Sequence, residues 1–280
     1  MQHTFSRQVS FLWTLLPLLA HPGMARGQFR ADSVRQDFRR AIGDAWSVWS
    51  SPVHATDDDL RGVAAGMALT GVAATADKPF AQWMKDHPNA WPVRTLRNLL
   101  SEEARYPVYE LGSGQYIFPL SAALYLGGTA GHSRNLRDAG LGCATAHLTS
   151  AGAREIVYLI IARDRPRLSP DDPFVIRFPG SHDWNEHSFF SGHIANSLGC
   201  ASFLSHRFDL HALTPVLYGF TMAIGAGRLL DGRHWMSDTV VGALFGYATG
   251  RAIAARMMAR ESGSPPVPAT PLSVSFSVSF

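Results

Sequence analysis

The sequence has few charged residues and almost no lysine. Asp, Glu, Lys and Arg make up 17% of the 280 residues, below the typical share of about a quarter, while hydrophobic residues make up 46%. Lys78 and Lys85 are the only lysines among 25 basic residues, and the formal net charge is +3. Because this charge is small and no basic tract occurs, we do not expect a nucleic-acid partner. Any anion site must rely mainly on arginine.

Cysteine is also scarce, and the two that occur, Cys143 and Cys200, can form at most one disulfide. Both lie in segments of small residues that are predicted to be helical. Buried free thiols are as compatible with these segments as a disulfide is. Export would permit the disulfide, so the sequence leaves both states open.

The N-terminal segment has the layout of a secretory signal peptide. Arg7 is followed by an apolar run over residues 11–20 and by small residues around Ala25 and Gly27. The apolar run is too short to span a bilayer, so we predict a signal peptide over 1–27 that is removed from the mature protein. The protein is then expected in the cell envelope, with its site on the non-cytoplasmic side. An uncleaved anchor is the alternative.

Strand-type alternation is almost absent before the stretch 272–280, which is expected to be a disordered or edge-pairing tail. The predicted helices cover 32–51, 57–76, 115–131, 138–163, 188–206, 211–229 and 235–257. The fold class is therefore all-α, a helical bundle with about six core helices. We divide the chain into a helical region at 28–109, a core at 110–257 and a linker with a tail at 258–280.

Two of the helical stretches raise the question of a membrane. Residues 188–206 and 210–227 contain no Asp, Glu, Lys or Arg, and each is just about long enough to cross a bilayer. Both are nevertheless rich in Gly, Ser, His and Thr, and the mean hydropathy of the chain is −0.01. We expect membrane embedding or tight membrane association, with a soluble bundle as the alternative.

The segment "GRLLDGRHWMSD" places three charged or titratable residues in an apolar setting. Arg228 is followed by His234 and then, four positions later, by Asp238. On a helix, positions four apart share one face, so the carboxylate is predicted to accept the Nδ1–H of His234. That bond would leave Nε2 with a free lone pair, as a nucleophile or a general base requires. A plain polar pair is the alternative.

The segment "HSFFSGHIANS" predicts an anion site at the start of a helix. Ser191, Gly192 and His193 precede an apolar helical run, so their N–H groups point out of a helix N-terminus. Glycine allows close approach to a phosphate, and His193 would stand beside it as a proton donor. A simple N-cap is the alternative.

The segment "YLIIARDRPRLSP" ends an apolar helix in clustered arginines. Arg163, Arg165 and Arg167 surround Pro166, and guanidinium groups match the geometry of phosphate oxygens. A basic helix flank is the alternative. The next segment contains four possible metal ligands, but their spacing fits no standard metal site, so we predict a loop at the substrate entrance and no metal. These four residues are His182, Asp183, Glu186 and His187.

Taken in this order, the three segments resemble the pattern of the type 2 phosphatidic acid phosphatase superfamily. That superfamily also contains bacterial class A acid phosphatases, glucose-6-phosphatase and the vanadium haloperoxidases. Its pattern is Lys-x₆-Arg-Pro, then Pro-Ser-Gly-His, then Ser-Arg-x₅-His-x₃-Asp. The resemblance covers about residues 110–257 and implies a helical bundle of the acid phosphatase/haloperoxidase type.

The resemblance implies a role for each matching residue. His234 would attack phosphorus to give a phosphohistidine, Asp238 would orient it, and His193 would protonate the leaving oxygen and later activate water. The residues implied to bind the phosphoryl oxygens are Arg165, Ser191, Gly192 and Arg228. Phosphoryl transfer depends mainly on positioning and on charge stabilisation, and the resemblance implies no metal or other cofactor.

The chain departs from the pattern at three positions. Tyr158 replaces the lysine, Phe190 the proline before Ser191, and Gly227 the serine before Arg228. We predict that Tyr158 faces the phosphate and offers it a neutral phenol donor. Arg154, one turn earlier, is expected to lean towards the helix N-terminus and away from the site.

The leading hypothesis is an exported, membrane-associated phosphatase acting on a lipid phosphate or a lipid pyrophosphate. A periplasmic acid phosphatase acting on small phosphomonoesters is the main alternative. A haloperoxidase is disfavoured by Tyr158. A non-catalytic phosphate-binding descendant is disfavoured by the presence of His193, His234 and Asp238.

Overall fold

The computed structural model describes residues 31–101, 108–180 and 187–264. Within these ranges the chain is mostly helical, which confirms the all-α prediction. The α-helices are α1 (Ala31–Ser50), α2 (Asp57–Asp86), α3 (Trp91–Leu100), α4 (Gly114–Ala130), α5 (Arg134–Ile160), α6 (Gly192–Phe208), α7 (Thr214–Leu230) and α8 (Met236–Ser262). Two short 3₁₀ helices cover Ser51–His54 and Val108–Gly112. The predicted signal peptide and the alternating tail lie outside the described residues.

The start of α2 follows from its sequence. Thr56 and Asp59 form a capping box, in which the Asp59 carboxylate accepts the Thr56 N–H at 2.8 Å and the Thr56 hydroxyl accepts the Asp59 N–H at 3.3 Å. Asp57 and Asp58 add negative charge to the first turn, where the helix dipole favours it. The acidic cluster therefore marks the helix start, as predicted.

The end of α5 differs from the prediction. The helix ends at Ile160, not at Arg163, because the chain turns into a small antiparallel hairpin of β1 (Ala162–Arg163) and β2 (Ile176–Arg177). The Asp164 N–H donates to the carbonyl of Val175 at 3.0 Å, which continues the hairpin. Arg163 and Arg165 are thus held by strand pairing and a loop rather than by a helix.

Helices α6 and α8 pack closely through glycine. A Cβ atom at Gly246 would lie 2.9 Å from the Cα of Ala195, and one at Gly242 would lie 2.7 Å from Cγ2 of Ile194. Such distances leave no room for a side chain, so the two backbones can approach each other only at these small residues. The contact places the first residues of α6 next to the first turn of α8.

Cys143 of α5 and Cys200 of α6 are joined by a disulfide. This decides between the two alternatives that the sequence left open. The bridge lies in a core cluster with Val48, Phe203 and Ile253. It closes a loop with a sequence separation of 57 residues and ties α5 to α6.

None of the helices in the described ranges is both long enough and apolar enough to cross a bilayer. The two stretches considered as spans form α6 and α7, which have 17 residues each.

Candidate active site

The three motif segments meet at one buried site. Ser191 precedes the first residue of α6, Arg228 lies in the last turn of α7, and His234 lies in the loop before α8. The Ser191 N–H donates to the carbonyl of Asp238 at 3.1 Å, which joins the second motif to the third. The side chains of Arg165, Arg228 and His234 are buried, with 3–6% of each residue exposed.

His234 is held with one ring nitrogen directed at a backbone carbonyl. Its Nδ1 atom lies 2.7 Å from the carbonyl oxygen of Ser188. Because a carbonyl can only accept, Nδ1 carries the proton and Nε2 keeps its lone pair. Burial, followed by the positive charges of Arg228 and Arg165, lowers the pKa of His234 well below its ordinary value. The ring is therefore neutral near pH 7, as a nucleophile requires.

The predicted hydrogen bond from His234 to Asp238 is not formed. The Nδ1 atom lies 4.0 Å from the nearer carboxylate oxygen, beyond hydrogen-bond range. The prediction assumed helical spacing, whereas His234 lies before the first residue of α8. The Asp238 carboxylate accepts instead from the Trp235 N–H at 2.8 Å and from Arg163 at 2.5 Å.

Arg163 is the centre of a buried ionic network beneath His234. Its guanidinium donates to Asp238, to Asp77 at 2.8 Å and to the Ser237 hydroxyl at 2.8 Å. Asp77, from α2, also accepts the N–H of Ser237 at 2.8 Å and its hydroxyl at 2.6 Å. When both carboxylates are ionised the trio carries one net negative charge, which favours positive charge on the nearby imidazole. Burial raises the pKa of Asp238 to about 6, so it is mostly ionised at pH 7.

The two motif arginines are fixed by neighbours that the sequence analysis did not identify. Arg165 donates from Nε to the carbonyl of His187 at 3.0 Å. Arg228 packs its guanidinium over the ring of Tyr109, with Cζ 4.9 Å from the ring centroid. Burial, and then the charges of Arg228 and Arg167, lowers the pKa of Arg165 to about 10, so it stays positive at neutral pH.

Three buried polar atoms of the site have no hydrogen-bond partner within the described residues. They are the hydroxyl oxygen of Ser191, Nε2 of His193 and Nε of Arg228. Native proteins rarely leave such atoms unpaired, so a group of them around one centre indicates a binding site for a polar ligand. Burial, and then the charges of Arg228, Arg154 and Arg165, lowers the pKa of His193 well below its ordinary value.

Tyr158 is buried at the edge of the site. Its ring stacks on the His187 ring with centroids 4.5 Å apart, and its hydroxyl lies 3.5 Å from the His187 carbonyl oxygen. The predicted contact between Tyr158 and phosphate stays a prediction. The expectation that Arg154 leans away from the site is wrong, because its guanidinium packs against Gly192 at the start of α6.

Gly227 has a structural reason for replacing the serine of the pattern. A Cβ atom there would lie 2.5 Å from the carbonyl oxygen of Leu100 and 2.9 Å from Cδ1 of Tyr109. The Leu100 carbonyl and the Tyr109 ring thus fill the space that a serine side chain would need. The ring of Tyr109 also meets that of His193 edge-on, with centroids 6.1 Å apart.

The predicted entrance loop is described only in part. His187 is fully buried beneath Tyr158, so it does not line an entrance. The other three residues of that prediction, His182, Asp183 and Glu186, lie outside the described residues.

The fold and the site together define a helical protein with a buried, cationic centre around two neutral histidines. The family model of the PAP2 superfamily matches residues 139–261, a segment that contains every predicted site residue. The match confirms the predicted resemblance to the type 2 phosphatidic acid phosphatase superfamily and implies phosphatase activity on a phosphorylated substrate. No curated protein and no solved structure matches the chain.

The network beneath His234 gives a first prediction. Asp77→Asn keeps the shape of the side chain and leaves Arg163 neutralised by Asp238, but it weakens the hydrogen bonds of position 77 to Arg163 and Ser237. We therefore expect a loss of about 1.5–3 kcal/mol in the free energy of unfolding, the usual contribution of a hydrogen bond to a charged group. Phosphatase activity should fall as well, because Ser237 and Asp238 lose their support. Denaturant unfolding and steady-state kinetics measure the two effects.

The matched control is Asp58→Asn on the same helix. Asp58 makes an exposed ion pair with Arg61 at 2.8 Å, and exposed pairs add little to stability. Equal effects of the two substitutions would contradict the assigned role of Asp77.

Proposed function

We propose that the protein is an exported phosphatase that hydrolyses a lipid phosphate or a lipid pyrophosphate through a phosphohistidine at His234. The proposal rests on three buried atoms, in Ser191, His193 and Arg228, that have no hydrogen-bond partner in the part of the chain that the structure describes. They lie around His234, whose Nε2 keeps its lone pair. These donors and Arg165 suit the oxygens of a phosphoryl group. No metal ion takes part in the proposed reaction.

The reaction proceeds in two steps. In the first, Nε2 of His234 attacks phosphorus, the bond to the leaving oxygen breaks, and His193 gives that oxygen a proton. In the second, His193 takes a proton from water while the water oxygen attacks phosphorus. The P–N bond then breaks and releases phosphate and neutral His234.

The ring of His234 becomes positive in the first step. The Ser188 carbonyl accepts the Nδ1–H at 2.7 Å, and the Asp238 carboxylate lies 4.0 Å away. Both stabilise the cation more than the neutral ring, which lowers the barrier to attack. Arg165 and Arg228 stabilise the negative phosphoryl oxygens on the other side.

A lipid substrate is supported by exposed apolar side chains next to the site. Phe174, Ile176 and Phe178 of the hairpin are 42–70% exposed. The hairpin lies against the end of α5, since the Gly180 N–H donates to the carbonyl of Leu159 at 3.1 Å. Leu159 is itself 47% exposed. Such a patch beside an anion site suits a substrate with a charged head and an apolar tail.

Export is supported by the N-terminal sequence and by the disulfide. The segment 1–27 has the layout of a signal peptide. The disulfide between Cys143 and Cys200 is of the kind that persists in oxidising compartments.

The nucleophile can be tested by trapping the intermediate. His234→Gln should abolish turnover and prevent acid-labile labelling of the protein with ³²P-phosphate donors, because no other atom attacks phosphorus. Acid quench and gel autoradiography measure the label, and wild-type activity should survive EDTA. A labelled His234→Gln protein, or a strict metal requirement, would refute the mechanism.

The general acid can be tested by changing the leaving group. His193→Gln should slow hydrolysis of phosphatidate by about 10²–10⁴-fold, the usual contribution of such a group. The loss should be much smaller with p-nitrophenyl phosphate, whose leaving oxygen barely needs a proton. Equal losses on both substrates would show that His193 only binds phosphate.

The pH dependence provides a second check on His193. Its pKa is lowered in the free protein, and a bound phosphoryl anion must raise it again. The acid form is needed, so the rate falls as pH rises through this pKa. We therefore expect the basic limb of kcat/KM, which reports the free protein, at lower pH than the basic limb of kcat. Coincident limbs would argue against the assignment.

The lipid substrate can be tested with Phe178→Ser. Removing this exposed ring should raise KM for phosphatidate in mixed micelles by roughly tenfold, equal to about 1.4 kcal/mol of apolar contact, and leave p-nitrophenyl phosphate unaffected. Leu126→Ser is a control, since Leu126 is similarly exposed on α4. If wild-type protein prefers small phosphomonoesters and neither substitution matters, the acid phosphatase alternative holds.

A further inference from the structure

Arg154 of α5 lies against the first residue of α6. A Cβ atom built on Gly192 would overlap Nη1 of Arg154 and lie 2.9 Å from its Cδ and 3.1 Å from its Cζ. The guanidinium therefore fills the space in which position 192 would otherwise carry a side chain. This places the guanidinium of Arg154 beside Gly192 at the N-terminus of α6, the end of a helix that favours anions.

The charge of Arg154 acts on the same histidine as the charges of the two motif arginines. Arg228, Arg154 and Arg165 all lower the pKa of His193, after the larger effect of burial. The Arg154 side chain is 14% exposed, so water screens its charge only in part. Three cations thus surround His193, although the sequence motifs account for two of them.

Neighbouring side chains fix the direction of Arg154. Glu155 accepts from Nη2 at 2.9 Å, while Nη1 is the atom nearest to Gly192. The guanidinium carbon lies 5.6 Å from the centroid of the Tyr158 ring, in a cation–π contact. Because Tyr158 also stacks on His187, its ring supports the guanidinium from a fixed position.

We propose that Arg154 is a third phosphate-binding cation of this site and that Tyr158 positions it rather than binding phosphate itself. The inference rests on the proposed phosphatase function and adds one residue to it. The phenol hydroxyl lies 3.5 Å from the His187 carbonyl, whereas the guanidinium lies beside the helix start. A cation from one turn earlier on α5 thereby takes the place of the lysine that this chain lacks at position 158.

The test is the binding of orthovanadate, which mimics five-coordinate phosphorus, to the purified full-length chain. Inhibition of p-nitrophenyl phosphate hydrolysis and calorimetry both report it. Arg154→Gln should weaken vanadate binding by roughly 10- to 100-fold, the usual worth of a charged hydrogen bond. Tyr158→Phe keeps the ring and should change binding less than about threefold.

Arg134→Gln is the matched control, because it removes an arginine from the opposite end of the same helix and should leave vanadate binding unchanged. Arg154→Lys keeps the charge but not the fork of donors, so several-fold weaker binding is expected. If Arg154→Gln does not fold, the vanadate affinity of Arg154→Lys tests whether Arg154 binds phosphate.

Wild-type vanadate affinity in both Arg154 variants would overturn the proposal, as would a loss confined to Tyr158→Phe. The same experiments distinguish a failure of the proposed function from a failure of the inference about Arg154. If wild-type protein binds vanadate through Arg154 but forms no phosphohistidine, the inference about Arg154 holds and the proposed phosphatase mechanism is wrong. If the phosphohistidine forms and the Arg154 variants bind vanadate normally, only the inference about Arg154 is wrong.

Discussion

The site depends on the burial of one guanidinium, that of Arg163. A charge removed from water must be compensated, and Arg163 is compensated by Asp77 from α2 and by Asp238 from α8. The backbone of Arg163 contributes as well, because its carbonyl accepts the N–H of Ser188 at 2.8 Å. The carbonyl of the same Ser188 then accepts the Nδ1–H of His234 and so orients the imidazole ring. One residue therefore links the hairpin to two helices and to the nucleophile. Through Asp77, α2 supports the site although it lies outside the segment matched by the family model.

Much of the fold could be predicted from local patterns. Hydrophobic periodicity located most of the helices, and the acidic run at Asp57 located the start of α2. The end of α5 could not be predicted in this way, because the chain leaves the helix to pair with β2, which lies beyond an intervening loop. The choice between a disulfide and free thiols also depended on the packing of α5 on α6, which no single helix reveals.

The candidate site residues stood out in the sequence for a related reason. Each motif is short, and burying a histidine or an arginine in an apolar stretch costs free energy. Such residues therefore often mark a functional site. Asp77 carried the same signal, an acid within an apolar helix, but its partner Ser237 is 160 residues away. Two of the errors, the bond from His234 to Asp238 and the direction of Arg154, came from ideal helix geometry. His234 is not on a helix, and a long arginine side chain can follow its contacts rather than the average rotamer.

The close packing of Tyr109 on Gly227 has a consequence for the evolution of the site. A serine at position 227 would collide with the Leu100 carbonyl and the Tyr109 ring, so it becomes acceptable only after the backbone at Leu100 shifts and a smaller residue replaces the tyrosine. That replacement would remove the aromatic face on which Arg228 lies. A serine at position 227 is therefore incompatible with the aromatic support that Tyr109 gives to Arg228. In homologous sequences a serine before this arginine should accompany a small residue in place of the tyrosine.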